Sequence, residues 1–161
     1  MPIDADLFRG TLANWASGVT VVTARRGDEV RAMTASAFCS LSLDPPLVLV
    51  CVDKNAIMHG FLEGNDAFAI NILARHQEDV SRACASRKVE ESRRLEGIPY
   101  HAEVTGAPIL DEALGYLDCR LEAAYPGGDH TIFVGRVEAA GAREGEPLLY
   151  FRGKYRSLAQ D

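Results

Sequence analysis

The run from Met33 to Pro46 places the hydroxyls of Thr34, Ser36, Ser40 and Ser42 close together around a single aromatic ring, Phe38. In an extended chain, alternate side chains share a face. Thr34, Ser36, Phe38, Ser40 and Ser42 would then line one face, and Ala35, Ala37, Cys39, Leu41 and Leu43 the other. Hydroxyls donate hydrogen bonds without bulk, so the first face suits a polar, phosphate-bearing ligand with an apolar part to lie on the ring. The second face is small and apolar, fit to pack on a core. The same pattern is also that of a plain half-buried strand whose polar face meets water.

Other chemistry-bearing residues are spread along the chain. Gly128-Asp129-His130 falls between two expected strands, at the mouth of a hairpin. There Asp129 can fix the loop and His130 can contact a ligand or handle a proton, or the two can be an ordinary turn pair. Lys54-Asn55 puts a cation and an amide at a strand end, beside an expected helix start, a place that attracts phosphate. Asn55 also reads as a plain helix cap. Arg82, Arg87, Lys88, Arg93 and Arg94 alternate with Glu90, Glu91 and Glu96. Most of these are expected to form a solvated, self-paired face, leaving one or two cations for a phosphate.

Several classes of chemistry find no support. His59, His76, His101 and His130 lack metal-ligand spacing, and no Cys-x-x-Cys pair occurs. There is no Gly-x-Ser-x-Gly and no phosphate-binding loop motif. The pattern fits a protein whose reactivity belongs to a bound cofactor. With 161 residues and a net charge of −6, a single domain over 1–161 is expected, and nucleic acid is a poor partner. Cys39, Cys51, Cys84 and Cys119 sit in or near apolar runs and are expected as buried free thiols. No secretion signal or membrane-length apolar run is visible, so a cytoplasmic location is expected.

The elements that must position these residues are mostly strands. Asp4 or Asp6 caps a helix expected through about Trp15, with Gly18 ending it. Val19–Ala24 and Val30–Thr34 form a hairpin around Gly27-Asp28. Pro45 and Pro46 forbid helix, and Leu47–Val52 reads as a strand buried on both faces. A helix capped by Asn55 runs to about Leu62, a strand covers Ala67–Leu73, and a helix covers Gln77–Ala85. Residues 97–108 read as irregular. Strands over Leu114–Ala124 and Thr131–Ala139 flank Pro126-Gly127-Gly128-Asp129, and Leu148–Phe151 and Lys154–Leu158 finish the chain. Many strands and few helices predict a mainly β fold, an antiparallel barrel with its helices outside.

The motifs taken in order resemble the short flavin reductases, the reductase components of two-component flavin-dependent monooxygenases. They are Phe8-Arg9, Ser17-Gly18-Val19-Thr20-Val21-Val22-Thr23, the stretch from Met33 to Ser42, Asp44-Pro45-Pro46-Leu47-Val48, Gly128-Asp129-His130, Val134-Gly135-Arg136-Val137 and Pro147-Leu148-Leu149-Tyr150. The resemblance implies an FMN-binding split barrel of Greek-key type and a homodimer. It implies hydride transfer from NADH, or alternatively NADPH, to FMN, or alternatively FAD. The reduced flavin would feed a partner monooxygenase. By the same resemblance Thr34, Ala35, Ser36, Ser40, Leu41 and Ser42 lie along the flavin. Val52, Asp53, Lys54 and Asn55 follow, then Ala85, Ser86 and Arg87, with Cys84 where the family often has Phe. Asp129 and His130 serve the nicotinamide side, with His130 as the catalytic candidate that orients it. The rival readings are a flavin- or haem-binding barrel without turnover and an oxidase of the pyridoxine-phosphate type.

Overall fold

The computed structural model describes residues 2–159, so the outermost residues of the span 1–161 lie outside it. In chain order the elements are α1 (Ala5–Leu12), β1 (Ser17–Gly18), β2 (Thr20–Arg26), β3 (Glu29–Ala35), β4 (Phe38–Leu43), β5 (Pro46–Asp53), α2 (Ile57–Glu63), β6 (Ala67–Ile72) and α3 (Glu78–Ala85). They continue with β7 (Tyr100–Ala102), β8 (Pro108–Leu110), β9 (Gly115–Gly127), β10 (His130–Ala142), β11 (Leu149–Phe151) and β12 (Lys154–Arg156). The fold is mainly β, as expected. Its centre is a seven-stranded antiparallel sheet in the order β3-β2-β6-β9-β10-β5-β4. The sheet curls until β3 and β5 touch.

Tight turns set the registers. Arg26 faces Glu29 across Gly27-Asp28, and Gly127 faces His130 across Gly128-Asp129. In each turn the glycine holds a positive φ, 59° at Gly27 and 69° at Gly128, at the first central position. That is the place where a hairpin turn twisted to match its strands needs glycine.

Packing follows the period of two. On β2, Val22 and Ala24 enter one core with Val50, Val52, Phe68, Phe133 and Met58, while Val19, just before the strand, and Val21 enter a second core with Leu73, Cys84, Leu110 and Leu148. The middle of the sheet is therefore covered on both faces. Buried polar groups are satisfied locally. The Asn71 side chain donates to the Val21 carbonyl at 3.1 Å and accepts from the Leu110 amide at 2.8 Å, tying β8 to the sheet.

Several expectations are corrected. The stretch from Met33 to Pro46 is not one strand: it breaks at Ser36-Ala37, because β3 and β4 lie at opposite edges of the sheet and the chain must cross between them. The two faces also exchange roles on β4. Phe38 packs on the core, whereas Cys39, Leu41 and Leu43 are exposed, Leu43 at 96%. A bulge between Ser40 and Ser42 interrupts the alternation along β4. On β5 only Val48, Val50 and Val52 are buried, while Leu47, Leu49 and Cys51 remain partly open. Among the described residues, that outer face is only partly covered.

The first helix stops at Leu12, not Trp15. The amides of Asn14 and Trp15 turn back to the Thr11 and Leu12 carbonyls, and the Asn14 amide side chain caps the Gly10 carbonyl. Its apolar residues, among them Phe8 and Leu12, are exposed. Asn55 does not cap α2. Its amide instead donates to Asp53 Oδ1 at 2.8 Å, a local side-chain turn, and the helix starts after Ala56. Residues 97–108 are not wholly irregular, since β7 pairs with β8. Only Cys84 and Cys119 are buried thiols, and burial pushes them up to about 11 and about 12.

Candidate functional site

Between the edge strand β3 and β5, the β5–α2 turn and the segment after α3 enclose a cleft of about 740 Å³. The hydroxyl strand reaches it only through Met33 and Thr34. Thr34 is held in place because its hydroxyl donates to the Ser81 carbonyl on α3 at 2.7 Å. The opposite wall carries Asp53 and Asn55, locked together by the turn described above. The floor and rim come from Cys84, Ala85, Arg87, Lys88, Glu91 and Arg94.

Arg94 is the organising side chain of that rim. Its guanidinium donates to the Ala32 carbonyl on β3 at 3.0 Å and to the Ser86 carbonyl at 2.9 Å, and it lies 3.3 Å from the Glu91 carboxylate. Both residues are only 8% exposed. Burial pushes the Glu91 carboxyl up from its ordinary value, against the pull of Arg94 and then Arg31. Glu91 Oε2 and Arg94 Nε are buried without a hydrogen-bond partner. Buried polar atoms normally have partners, and these two are closed off from solvent as well. Arg82 and Arg93 are the self-paired exposed cations that the charge pattern predicts, bonded to Glu78 and Glu96. Arg87 and Lys88, on the rim, form no ion pair among the described residues.

The turn at the start of β10 forms a second group. Lys54 Nζ donates to the Gly128 carbonyl at 2.6 Å, and the Lys54 amide donates to the Asp129 carbonyl. Lys54 thus braces the turn and does not line the cleft. His130 Nδ1 sits 2.7 Å from Asp129 Oδ1, and this hydrogen bond, before any other cause, holds the Asp129 carboxyl below its ordinary range. His130 pairs in register with Asp53, so the imidazole stands one strand away from the cleft wall. Beneath it, His59 Nε2 lies 2.7 Å from the Thr131 hydroxyl, a buried contact between α2 and β10.

Of the residues singled out in the sequence, Thr34, Asp53, Asn55, Ala85 and Arg87 meet around the cleft. Ser36 lines a smaller adjoining pocket, and Ser86 a third depression. Ala35 and Val52 are buried, and Ser40, Leu41 and Ser42 lie on the edge strand β4, outside these cavities. Sequence reasoning placed Glu91 and Arg94 on a solvated face. The signal that pointed the other way was weak, an acid and a base three residues apart next to the apolar Leu95. Among the described residues, no group of His, Cys, Asp or Glu is arranged to hold a metal ion, and no helix is long and apolar enough to cross a membrane.

Comparison with known proteins places this geometry in context. A profile described as "Flavin reductase like domain" matches residues 12–159. The chain is 48% identical to the 4-hydroxyphenylacetate 3-monooxygenase reductase component of Thermus thermophilus, covering 95% of this chain and 96% of that protein. It is 36% identical to an NADH-dependent FMN reductase of Streptomyces nodosus, covering 94% and 83% respectively. Among solved structures it resembles an NADH:FAD oxidoreductase of Streptomyces globisporus in complex with NAD and FAD fragments, with a TM-score of 0.91 at 37% identity over 100% and 98% of the two chains.

Proposed function

Because the chain belongs to the flavin reductase like family, we propose that it moves a hydride from NADH to a flavin and hands the reduced flavin to a separate monooxygenase. The transfer, from the nicotinamide ring to flavin N5, is chemistry that the two bound molecules supply themselves. The task of the protein is to hold the rings in near contact, which replaces a bimolecular encounter with a positioned one.

The observation that carries this reading is the cleft wall. The wall of the cleft holds the buried Glu91–Arg94 pair, and its rim holds Arg87 and Lys88, two exposed cations with no ion pair among the described residues. A flavin nucleotide offers its phosphate to these two cations. The volume is within the range that holds such ligands, roughly 300–1,000 Å³. In this reading Thr34, Ala35 and Ser36 lie along the flavin with Asn55 and Asp53 opposite. The edge strand contributes Ser40, Leu41 and Ser42, and Ala85, Ser86 and Arg87 close the phosphate end. Val52 acts through its backbone, with Lys54 holding the turn at Gly128-Asp129. The whole domain from 1 to 161 acts as one unit, in the cytoplasm, where the NADH pool resides.

His130 orients the nicotinamide. Hydride transfer needs no acid, so His130→Ala is expected to raise the KM for NADH about 5- to 10-fold, the scale of one lost hydrogen bond, with flavin affinity unchanged. Equal loss of both would assign the residue to the fold of the turn.

A second copy of the chain is the natural cover for the outer face of β4 and β5, where Leu41, Leu43, Leu47 and Leu49 meet solvent. An exposed apolar patch of this kind marks an interface. The barrel then becomes the split barrel of a homodimer. Leu43→Glu is expected to shift the elution volume from that of a dimer to that of a monomer. An unchanged dimer would place the interface elsewhere.

The decisive experiment is NADH consumption by the purified protein, followed at the nicotinamide absorbance with and without FMN or FAD. Flavin-dependent oxidation, faster with NADH than with NADPH, is the expected result. A protein that binds flavin and oxidises neither nucleotide would be a binding module.

A further inference from the structure

The main cleft does not end at Ala85. A pocket of about 200 Å³ shares Thr34 and Ala85 with it, and is lined in addition by Ser36, Ser81, Tyr150 and Tyr155. Beyond it, a depression of about 540 Å³ shares Ala85, Tyr150 and Tyr155, and adds Ser86, Lys154 and the ion pair of Arg82 with Glu78. Through these shared residues the three cavities adjoin in one row, which we take together as a groove. It leads from the α2 side, over the end of α3, to the β11–β12 hairpin.

The far end has its own chemistry. Tyr150 and Tyr155 pair edge to face, with centroids 5.4 Å apart. Tyr155 is committed to the fold: its hydroxyl lies 2.7 Å from Ser81 Oγ, and the Arg82 guanidinium sits over its ring at 4.8 Å. Tyr150 is 39% exposed. Lys154, at the tip of the hairpin, has no ionic partner among the described residues. A half-open aromatic ring beside an uncommitted cation takes a flat heteroaromatic base on the ring and a phosphate on the ammonium. Ser86 belongs to this depression and Arg87 to the main cleft, so the two ends meet at adjacent residues on the ridge between them.

We infer that the outer end of the groove, Tyr150 with Lys154, is a subsite for an adenosine monophosphate group. The inference rests on the flavin reductase reading and deepens it. An adenosine monophosphate group is what separates FAD from FMN, and NADH carries one too. With a flavin phosphate at Arg87 and Lys88, a second phosphate crosses at Ser86 and the adenine reaches Tyr150. If FAD is the source, this end of the groove sets the preference of the protein between the two flavins.

The test uses the full chain with Tyr150→Ala, Lys154→Glu and, as the conservative control, Tyr150→Phe. FMN and FAD affinities are read by quenching of flavin fluorescence, and the KM for NADH is measured with FMN as acceptor. Loss of one base stack predicts a rise of about 5- to 100-fold in the FAD dissociation constant for Tyr150→Ala. The FMN constant stays within about twofold, a difference too small to be a lost contact, and Tyr150→Phe retains FAD affinity. The same rise in the KM for NADH, with both flavins unmoved, also supports the subsite and assigns the group to the nicotinamide nucleotide. Unmoved values throughout, or equal weakening of FMN and FAD, would overturn it. The direct FAD-against-FMN titration reads the subsite even if no NADH oxidation is found, so the two readings fail separately.

Discussion

Arg94→Met is expected to lower the unfolding free energy by about 3–5 kcal/mol, measured by urea denaturation at neutral pH. The reason is what it leaves behind. Glu91 is as buried as Arg94, and its carboxylate would lose the guanidinium 3.3 Å away. The carbonyls of Ala32 and Ser86 would lose their donors as well. Total stability of a domain this size is only about 5–15 kcal/mol, so the variant should be close to unfolding.

The pH dependence has a definite sign. Burial already raises the Glu91 carboxyl, and Arg94 opposes that rise. Without Arg94 the folded state holds a proton on Glu91 more readily than the unfolded state does. Stability of the variant therefore falls as pH rises through that raised value, and the deficit against the parent narrows as pH is lowered. Glu91→Leu combined with Arg94→Met should recover part of the loss, since the unpaired charge has gone while the carbonyls remain unpaired. A single variant within about 1 kcal/mol of the parent would mean that the pair is in contact with water and is not a buried brace.

Reversing both rim cations, in Arg87→Glu with Lys88→Glu, is expected to weaken FMN binding by about 10- to 100-fold, the scale of one charge-assisted hydrogen bond lost. Neither side chain has an ionic partner among the described residues, and both are exposed, so the thermal midpoint should hardly move. Riboflavin supplies the control. It lacks the phosphate, so its affinity should be the same for parent and variant. Equal loss for riboflavin and FMN would mean that the charges act on the cleft as a whole, or that the phosphate lies elsewhere. Raising the salt concentration should erode the FMN advantage of the parent, because contacts at an open rim are screened.

Most of the fold was legible because its signals are local. The β-branched run along β2, the glycines at Gly27 and Gly128, and the prolines at Pro45 and Pro46 each act within a few residues. They fix strands, hairpins and registers wherever the chain sits. The family resemblance was legible for a related reason: it rests on an ordered series of such local motifs, and the matched region spans nearly all of them.

What the sequence did not reveal depends on partners distant along the chain. The run from Met33 to Pro46 reads as one strand until the sheet places its two halves on opposite edges. Whether Phe38 or Leu43 faces inward depends on whether the neighbouring strand offers a core. Glu91 and Arg94 look like surface charges until β3 and α3 close over them. By itself the sequence determined the mainly β class, the positions of the turns and the residue types available for a flavin site, because backbone geometry and side-chain period are properties of short segments. Only the tertiary structure decided which of those residues share a cleft, which charges are buried and where the groove continues past Ala85, because burial and proximity are set by segments many residues apart packing together.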